Sequence, residues 1–296
     1  MSLKQFKKFP IIFEDQDILV INKAPGVVVN RAKTVKTETI QDMMEDSLKD
    51  WQDISQNEWI DLVPDNFSEQ WGTPKEIFKK RMGIVHRLDK NTSGVLVLAK
   101  NPGSLVSLLD QFKSRTVSKK YRCLVHGKLK LKEGEIDAPL GRARKDRKKF
   151  TVTIEGRAAV TKYKMVKEYD FAAVEAMVVK LKENVAESDQ EKKIQELNKK
   201  IRTYQQGFSL IECEPKTGRT HQIRVHMKHL DHPLAGDSFY TGRKRSKLDA
   251  VWCPRQFLHA SELEFMHPRS KEKVSFKAEL GEDLDQVLGL LNGTEL

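Results

Sequence analysis

The chain has 296 residues, 39% of them apolar, and a formal net charge of +11. That length and apolar share suffice for a sizeable core, which excludes disorder over most of the chain. No apolar run approaches the roughly 20 residues of a membrane span, the basic start lacks the apolar stretch of a secretory signal, and three scattered cysteines without a CxxC pair argue against a disulfide framework or zinc ribbon, so the expectation is a cytoplasmic protein.

In chain order, Ile11-Ile12-Phe13 and Ile18-Leu19-Val20-Ile21 flank an acidic turn and predict a hairpin that leads to a turn at Pro25-Gly26. Thr39 is placed to cap a helix whose apolar residues Ile40, Met43, Met44, Leu48 and Trp51 recur at helical spacing, a stripe that reads as core. This helix lies in an acidic region, since residues 37–70 hold 10 acids against 1 Lys. The stretch "GIVHRLDKNTSG", residues 83–94, then sets His86, Arg87 and Asp89 between two apolar segments that read as strands. Such a triplet is either a structural ion pair or a working site. Its small residues Thr92-Ser93-Gly94 suit a close backbone approach.

Pro102 to Lys113 predicts a helix with Leu105, Leu108, Leu109 and Phe112 on one face and Pro in its first turn. Strand-like alternation marks Tyr121 to His126, Ala159 to Tyr169, Phe171 to Leu181 and Phe208 to Cys213. Residues 111–150 carry 14 Lys+Arg against 4 acids, a density that suits a phosphate backbone as well as a solvated face. Between the last two strands, Ser188-Asp189-Gln190-Glu191 reads as a capping box opening a helix that buries Ile194, Leu197, Ile201 and Tyr204 and stops at Gly207. Its cations and acids offset one another, pointing to packing or partner contact rather than to a phosphate backbone. The fold class is α+β with mostly antiparallel strands.

In residues 214–237, "EPKTGRTHQIRVHMKHLDHPLAGD", Thr220 is placed to cap a short helix that presents His221 and Arg224 from its first turn, with Ile223 and Met227 facing inward. His226, His229 and His232 invite a zinc reading, but steps of three walk around a helix and Pro233 ends it near the third, so no metal site is expected.

"HRLDKNTSG", "KKYRCLVHG" and "GRTHQIRVH" with "PLAGD", in that order and spacing, resemble the motif set of the RluA-type pseudouridine synthases. "DILVINKAPGVVV", "APLGRARKDRKKFTV" and "LHASELEFMHP" resemble its supporting segments, and the likeness runs from about Ile11 to Phe276. The resemblance implies a pseudouridine synthase catalytic fold with a mixed, mostly antiparallel sheet, flanking helices and a central RNA-binding cleft. It implies isomerisation of uridines in structured RNA, ribosomal or transfer, with no cofactor and no metal.

Its site would use Asp89 as the carboxylate working at the sugar, Tyr121 as the tyrosine that stacks on the uracil, and Arg224 as the arginine that holds Asp89 charged. Arg87 would fill the space left by the flipped base. His86, which would pack near the RNA backbone or else merely hold the turn, Arg219, Thr220, His221 and Ile223, with Arg144, Lys145, Arg147 and Lys148 of the basic loop, are the expected substrate contacts. One catalytic domain over residues 11–296 is expected, acting as a monomer, with additions at about 37–75 and 182–207 and no S4 domain ahead of it. A catalytically dead RNA-binding factor is disfavoured because Asp89, Tyr121 and Arg224 are all present. A metal-dependent RNA hydrolase would need a ligand cluster.

Overall fold

The computed structural model describes residues 4–48, 54–183 and 188–293. Along the chain come β1 (Ile11–Glu14), β2 (Ile18–Lys23), α1 (Ile40–Ser47), α2 (Pro74–Arg81), β3 (Ser93–Ala99), α3 (Pro102–Ser114) and β4 (Ser118–His126). There follow β5 (Glu133–Asp137), β6 (Leu140–Arg142), β7 (Phe150–Val152), β8 (Val160–Tyr169), α4 (Phe171–Glu183), α5 (Ser188–Lys199) and β9 (Phe208–Pro215). Then α6 (Gln222–His229), α7 (Arg243–Asp249), β10 (Leu258–Met266), β11 (Lys273–Lys277) and α8 (Glu282–Asn292) complete the order. The fold is mixed α+β, and its chain divides into two compact units, one of residues up to Lys119 with Ala260–Glu279, the other of Lys120–His259 with the stretch from Leu280.

In the first unit the expected hairpin forms, with Ile11 opposite Ile21 and Glu14 opposite Leu19. Asp15 closes its turn by accepting the amides of Asp17 and Ile18, each at 2.8 Å, the usual reason an Asp starts a turn. The strand order is β1-β2-β3-β10, with β11 beside β10. Every residue of β3 is buried, and each of its large apolar side chains contributes about 1.5–3 kcal/mol by leaving water. Gly94 has φ +116°, and a Cβ there would sit 2.2 Å from the Ala260 carbonyl. This is the close approach that the Thr-Ser-Gly run announces.

Thr39 caps α1 reciprocally with Asp42, and Asn101 caps α3 by accepting the Ser104 amide; Trp51 of the expected first helix lies outside the described residues. The segment before His86 forms no strand, only a single bridge from Ile84 to Leu98. Asp17 is wholly buried. Burial by itself raises its pKa, yet hydrogen bonds and charge from Arg269, with Asn101 and Ser104, hold the carboxyl below its ordinary range.

In the second unit the order is β4-β9-β8-β5, all antiparallel, with β6 and β7 as a separate hairpin. Here one expectation is corrected: Phe171–Leu181 is not a strand but most of α4. Asp170 accepts the Ala173 amide at 3.0 Å, and Val174, Met177 and Val178 turn to the core at helical steps. A second correction concerns the segment that follows. The helix α5 ends at Lys199, and Ile201–Tyr204 form a short 3-10 turn.

Among the α5 residues whose side chains are described, only Ile194 and Leu197 are buried. Tyr204 is buried too, and its hydroxyl donates to Asp249 at 2.8 Å while Asp249 also meets His126 Nε2 at 2.9 Å and accepts the Gly236 amide at 3.0 Å. Burial and the Asp249 charge push the Tyr204 pKa up, so the phenol stays a donor. Tyr204→Phe is expected to lower unfolding free energy by about 1–3 kcal/mol, because it strips one donor from a buried carboxylate. Urea unfolding followed by fluorescence measures this, and an unchanged midpoint contradicts the network.

Candidate active site

The turn that carries Asp89 is held from both sides within the first unit. Ahead of it, His86 Nε2 accepts the Val97 amide at 3.2 Å, and the ring stacks on Phe112 with centroids 4.7 Å apart. An acceptor nitrogen must be unprotonated, and burial together with the Lys119 charge pushes the imidazole pKa down to about 3. After it, the Lys90 carbonyl accepts the Gly26 amide at 2.9 Å and Lys23 Nζ at 3.2 Å. Lys23 is fully buried, and its ammonium also donates to the carbonyls of Ala24 and Val27. Asp89 accepts the Thr92 amide through its own carbonyl at 3.0 Å, closing the turn. Leu88 is buried and Arg87 exposed, so the turn points Leu88 inward and leaves Arg87 in solvent.

Tyr121, Arg224, Arg219, His221 and the basic segment belong to the second unit. Tyr121 sits half-buried on β4 opposite Cys213 of β9. The helix α6 starts at Gln222, not after Thr220 as expected, and its N-cap is His221 in the left-handed region at φ +58°. The reason lies in Gln222. Its side-chain oxygen accepts the Arg219 amide and the Thr217 hydroxyl, while its nitrogen donates to the Val160 carbonyl and to Thr161. These bonds shape the loop before the helix and remove the need for a hydroxyl cap. Arg219 Nε donates to the Ala158 carbonyl at 3.1 Å. Ile223 is buried among Cys123, Ile211 and Met227, so its position is one of packing. Thr220 is half-buried.

Arg224 is 4% exposed, and within its unit its Nε and Nη2 donate to the two carboxylate oxygens of Asp237 at 2.7 and 2.9 Å. The guanidinium lies over the rings of Phe239 and Tyr240, 5.4 and 5.1 Å from their centroids. Asp237 Oδ1 also accepts the Phe239 and Tyr240 amides. The Tyr240 hydroxyl meets His221 Nδ1 at 2.8 Å and accepts the Phe150 amide at 3.0 Å.

Phe150 begins β7, so this chain of bonds reaches the basic segment, which is a hairpin tip and not a plain loop. Ala143 and Lys149 pair across it, Arg142 stacks on Phe150, and Arg144, Lys145, Arg147 and Lys148 are exposed at its end. The three histidines weighed for zinc have other partners or sites. His226 bonds Thr161 and the Ala138 carbonyl, His232 bonds the His126 carbonyl, and His229 is exposed.

Lys23, Gln222, Asp237 and Tyr240 therefore hold the candidate residues or the backbone that carries them, and the motifs alone give them no such part. Gln222 and Asp237 stand inside the quoted motifs. Lys23 stands in "DILVINKAPG", where a lysine ending an apolar strand is the available signal.

His86 supplies a pH test. Because its folded pKa is depressed, its contribution to stability is complete above the unfolded value of about 6.5 and is lost as pH falls towards about 3. Between those limits denaturant midpoints are expected to fall with pH, and His86→Gln is expected to flatten that fall without moving the activity profile near neutrality. An activity profile that tracks the His86 substitution overturns its neutral, turn-holding role.

Comparison with known proteins agrees with the motifs. The family described as RNA pseudouridylate synthase matches residues 17–229. The chain is 40% identical over 208 residues, 70% of its length and 55% of the relative's, to the uncharacterized RNA pseudouridine synthase YlyB of Bacillus subtilis. It is 36% identical over 216 residues, 71% of its length and 56% of the relative's, to ribosomal large subunit pseudouridine synthase D of Zymomonas mobilis. It thus spans about half the length of the curated relatives it matches. In fold it resembles the solved structure of human RNA Pseudouridylate Synthase Domain Containing 4, with a TM-score of 0.62 over 98% of this chain and 95% of that one at 20% identity. With its three ordered motifs inside or alongside the matched region, the chain belongs to the RNA pseudouridylate synthase family.

Proposed function

We propose that the protein isomerises uridine to pseudouridine within RNA, with Asp89 as the working carboxylate. The observation that carries this reading is the Asp89 turn, a carboxylate on a short connector whose flanks are tied down by His86 and by Lys23, inside a region that matches the family. A pre-set carboxylate is what the chemistry needs. The bond from ribose C1′ to N1 of uracil breaks, the base turns, and C1′ is rejoined to C5 of the same base, whose proton then leaves to N1 through solvent or a side chain. No atom is gained or lost overall. Asp89 acts on the sugar as nucleophile or base, and Tyr121 stacks on the uracil and assists the C5 proton.

Arg224 is assigned the task of keeping Asp89 ionised, from a guanidinium whose Nε edge Asp237 already orients. Arg87, exposed beside Asp89, takes the space vacated when the uridine leaves its stack, a step that costs a few kcal/mol. The hairpin tip, with Arg219 and His221, meets phosphates. The relative from Zymomonas mobilis bears the name of a ribosomal large subunit enzyme, which supports ribosomal RNA over transfer RNA as substrate. The protein is assigned to the cytoplasm and acts as a monomer. No helix among the described residues is long and apolar enough to cross a membrane.

The decisive experiment incubates ribosomal RNA with the protein and maps new pseudouridine. Asp89→Asn, which keeps the shape and removes the charge, is expected to cut turnover by about 10²–10⁴-fold, the range for losing a working acid–base group, with RNA affinity nearly unchanged. A variant that keeps wild-type turnover sinks the assignment.

Replacing Arg144, Lys145, Arg147 and Lys148 by Gln tests the hairpin. If two of them meet phosphates, the slope of log affinity against log salt falls by about 1.4, at roughly 0.7 per contact, while single-turnover chemistry on saturated RNA is unaltered. A slope that does not move makes the tip a solvated charged face.

A further inference from the structure

A concavity of about 800 Å³ lies in the second unit between α5 and α7, and none of the residues assigned above lines it. Six cations line it, Lys193 from α5 and Lys200 just after its end with Arg243, Lys244, Arg245 and Lys247 from α7, against one carboxylate, Glu196. Leu248 and Val251 supply apolar wall. Glu196 is already engaged: Lys200 Nζ donates to it at 2.6 Å. That hydrogen bond, with the charges of Lys200, Lys247 and Lys199, holds its carboxyl below the ordinary range.

Neither helix makes such a site alone. Along α5 the acids Asp189, Glu191 and Glu196 offset the lysines, so its sequence reads as neutral overall. The tertiary structure sets Lys193 and Lys200 opposite a run, "GRKRSK", that has no acid. A concave wall concentrates potential that a flat face of the same charge would lose to solvent.

The exposed positions Lys193, Arg243, Lys244 and Lys247 present their ammonium and guanidinium groups to a long anion, while Lys200 is held by Glu196. The groove is also coupled to the candidate site. Only Ser238–Thr241 and Gly242 separate α7 from Asp237, and Asp249 at the far end of α7 accepts the Gly236 amide.

We propose that this groove is a second RNA-binding site, which takes the sugar-phosphate backbone of the substrate RNA at nucleotides outside the modified uridine and so selects long or structured substrates over short ones. The inference rests on the RNA-modifying reading above. Its ligand is polyanionic backbone, recognised by charge and independent of base sequence.

The test uses the full chain with Lys193, Arg243, Lys244 and Lys247 changed to Gln, and polyuridylate as the binding probe, titrated across salt. The variant is expected to unfold at the wild-type temperature and to lose about 1.4–2.1 from the log-log salt slope, which corresponds to two or three phosphate contacts at roughly 0.7 each. A control with exposed Lys79, Lys80, Lys113 and Lys277 changed to Gln is expected to keep the wild-type slope. An unchanged slope in the groove variant overturns the proposal, and so does an equal loss in the control, which makes the effect one of net charge.

Should the quadruple variant fail to fold, the pair Lys193→Gln and Lys244→Gln is read in the same titration against a threshold of one contact, about 0.7. Pseudouridine formation in ribosomal RNA by the wild type is scored in parallel. An active wild type with an unmoved variant slope sinks the groove alone. A wild type that makes no pseudouridine while the variant loses slope sinks the isomerase reading and leaves the groove standing.

Discussion

The fork between Arg224 and Asp237 is the interaction on which the second unit's working surface depends. Both side chains are buried, 4% and 0% exposed, so each has given up its water. Two parallel hydrogen bonds and the amides of Phe239 and Tyr240 compensate for that loss. Stacking against Phe239 and Tyr240 fixes the plane of the guanidinium, a service that a lysine's point charge does not receive. Truncating one partner of such a pair typically costs about 3–5 kcal/mol, because the survivor is left charged and dry. From the fork the order propagates through Tyr240, which meets His221 at the start of α6 and receives the Phe150 amide at the base of the basic hairpin.

A few residues along the chain, Asp249 makes a second junction. It joins β4 through His126, the turn after α5 through Tyr204, and the Gly236 amide next to Asp237. Gly236 itself has φ +70° and passes so near the Arg255 carbonyl that a Cβ would lie 2.1 Å away, which excludes any larger residue there. The segment from Leu234 to Asp249 is thus pinned at both ends. The cationic helix α7 that forms one wall of the groove hangs from those pins, so rigidity at the candidate site and charge presentation beside it share one scaffold.

The first unit solves a related problem with backbone acceptors. Lys23 is buried and distributes its three donors over the carbonyls of Ala24, Val27 and Lys90, tying the Pro25-Gly26 turn to the residue after Asp89. His86 holds the other flank as a neutral acceptor. The backbone between two such anchors has little freedom to swing, and positional precision of this kind is what the proposed role of Asp89 at a single carbon requires.

Sequence by itself determined the elements whose causes are local. Thr39 with Asp42 and Asn101 with Ser104 cap their helices within three residues, the Asp15 turn closes within three, and Thr92-Ser93-Gly94 marks the close approach to Ala260. The family was legible as well, since ordered motifs preserve residue identity and spacing. Helix α2 has an equally local signal, the reciprocal Thr73 and Glu76 cap with Pro74 at its first position.

Phe171–Leu181 was misread as strand because a short, almost wholly apolar run satisfies both periods, and only packing of Val174, Met177 and Val178 decided for a helix. Tertiary structure alone also decided Asp237 as the partner of Arg224 across 13 residues, Lys23 as an anchor of Lys90 across 67, and His126 as a neighbour of Asp249 across 123. It alone set Lys193 of α5 and the following Lys200 against the cations of α7. Periodicity and capping act over a turn or two of chain, whereas ion pairs, buried donors and charged grooves depend on which distant side chains the packed core brings within reach.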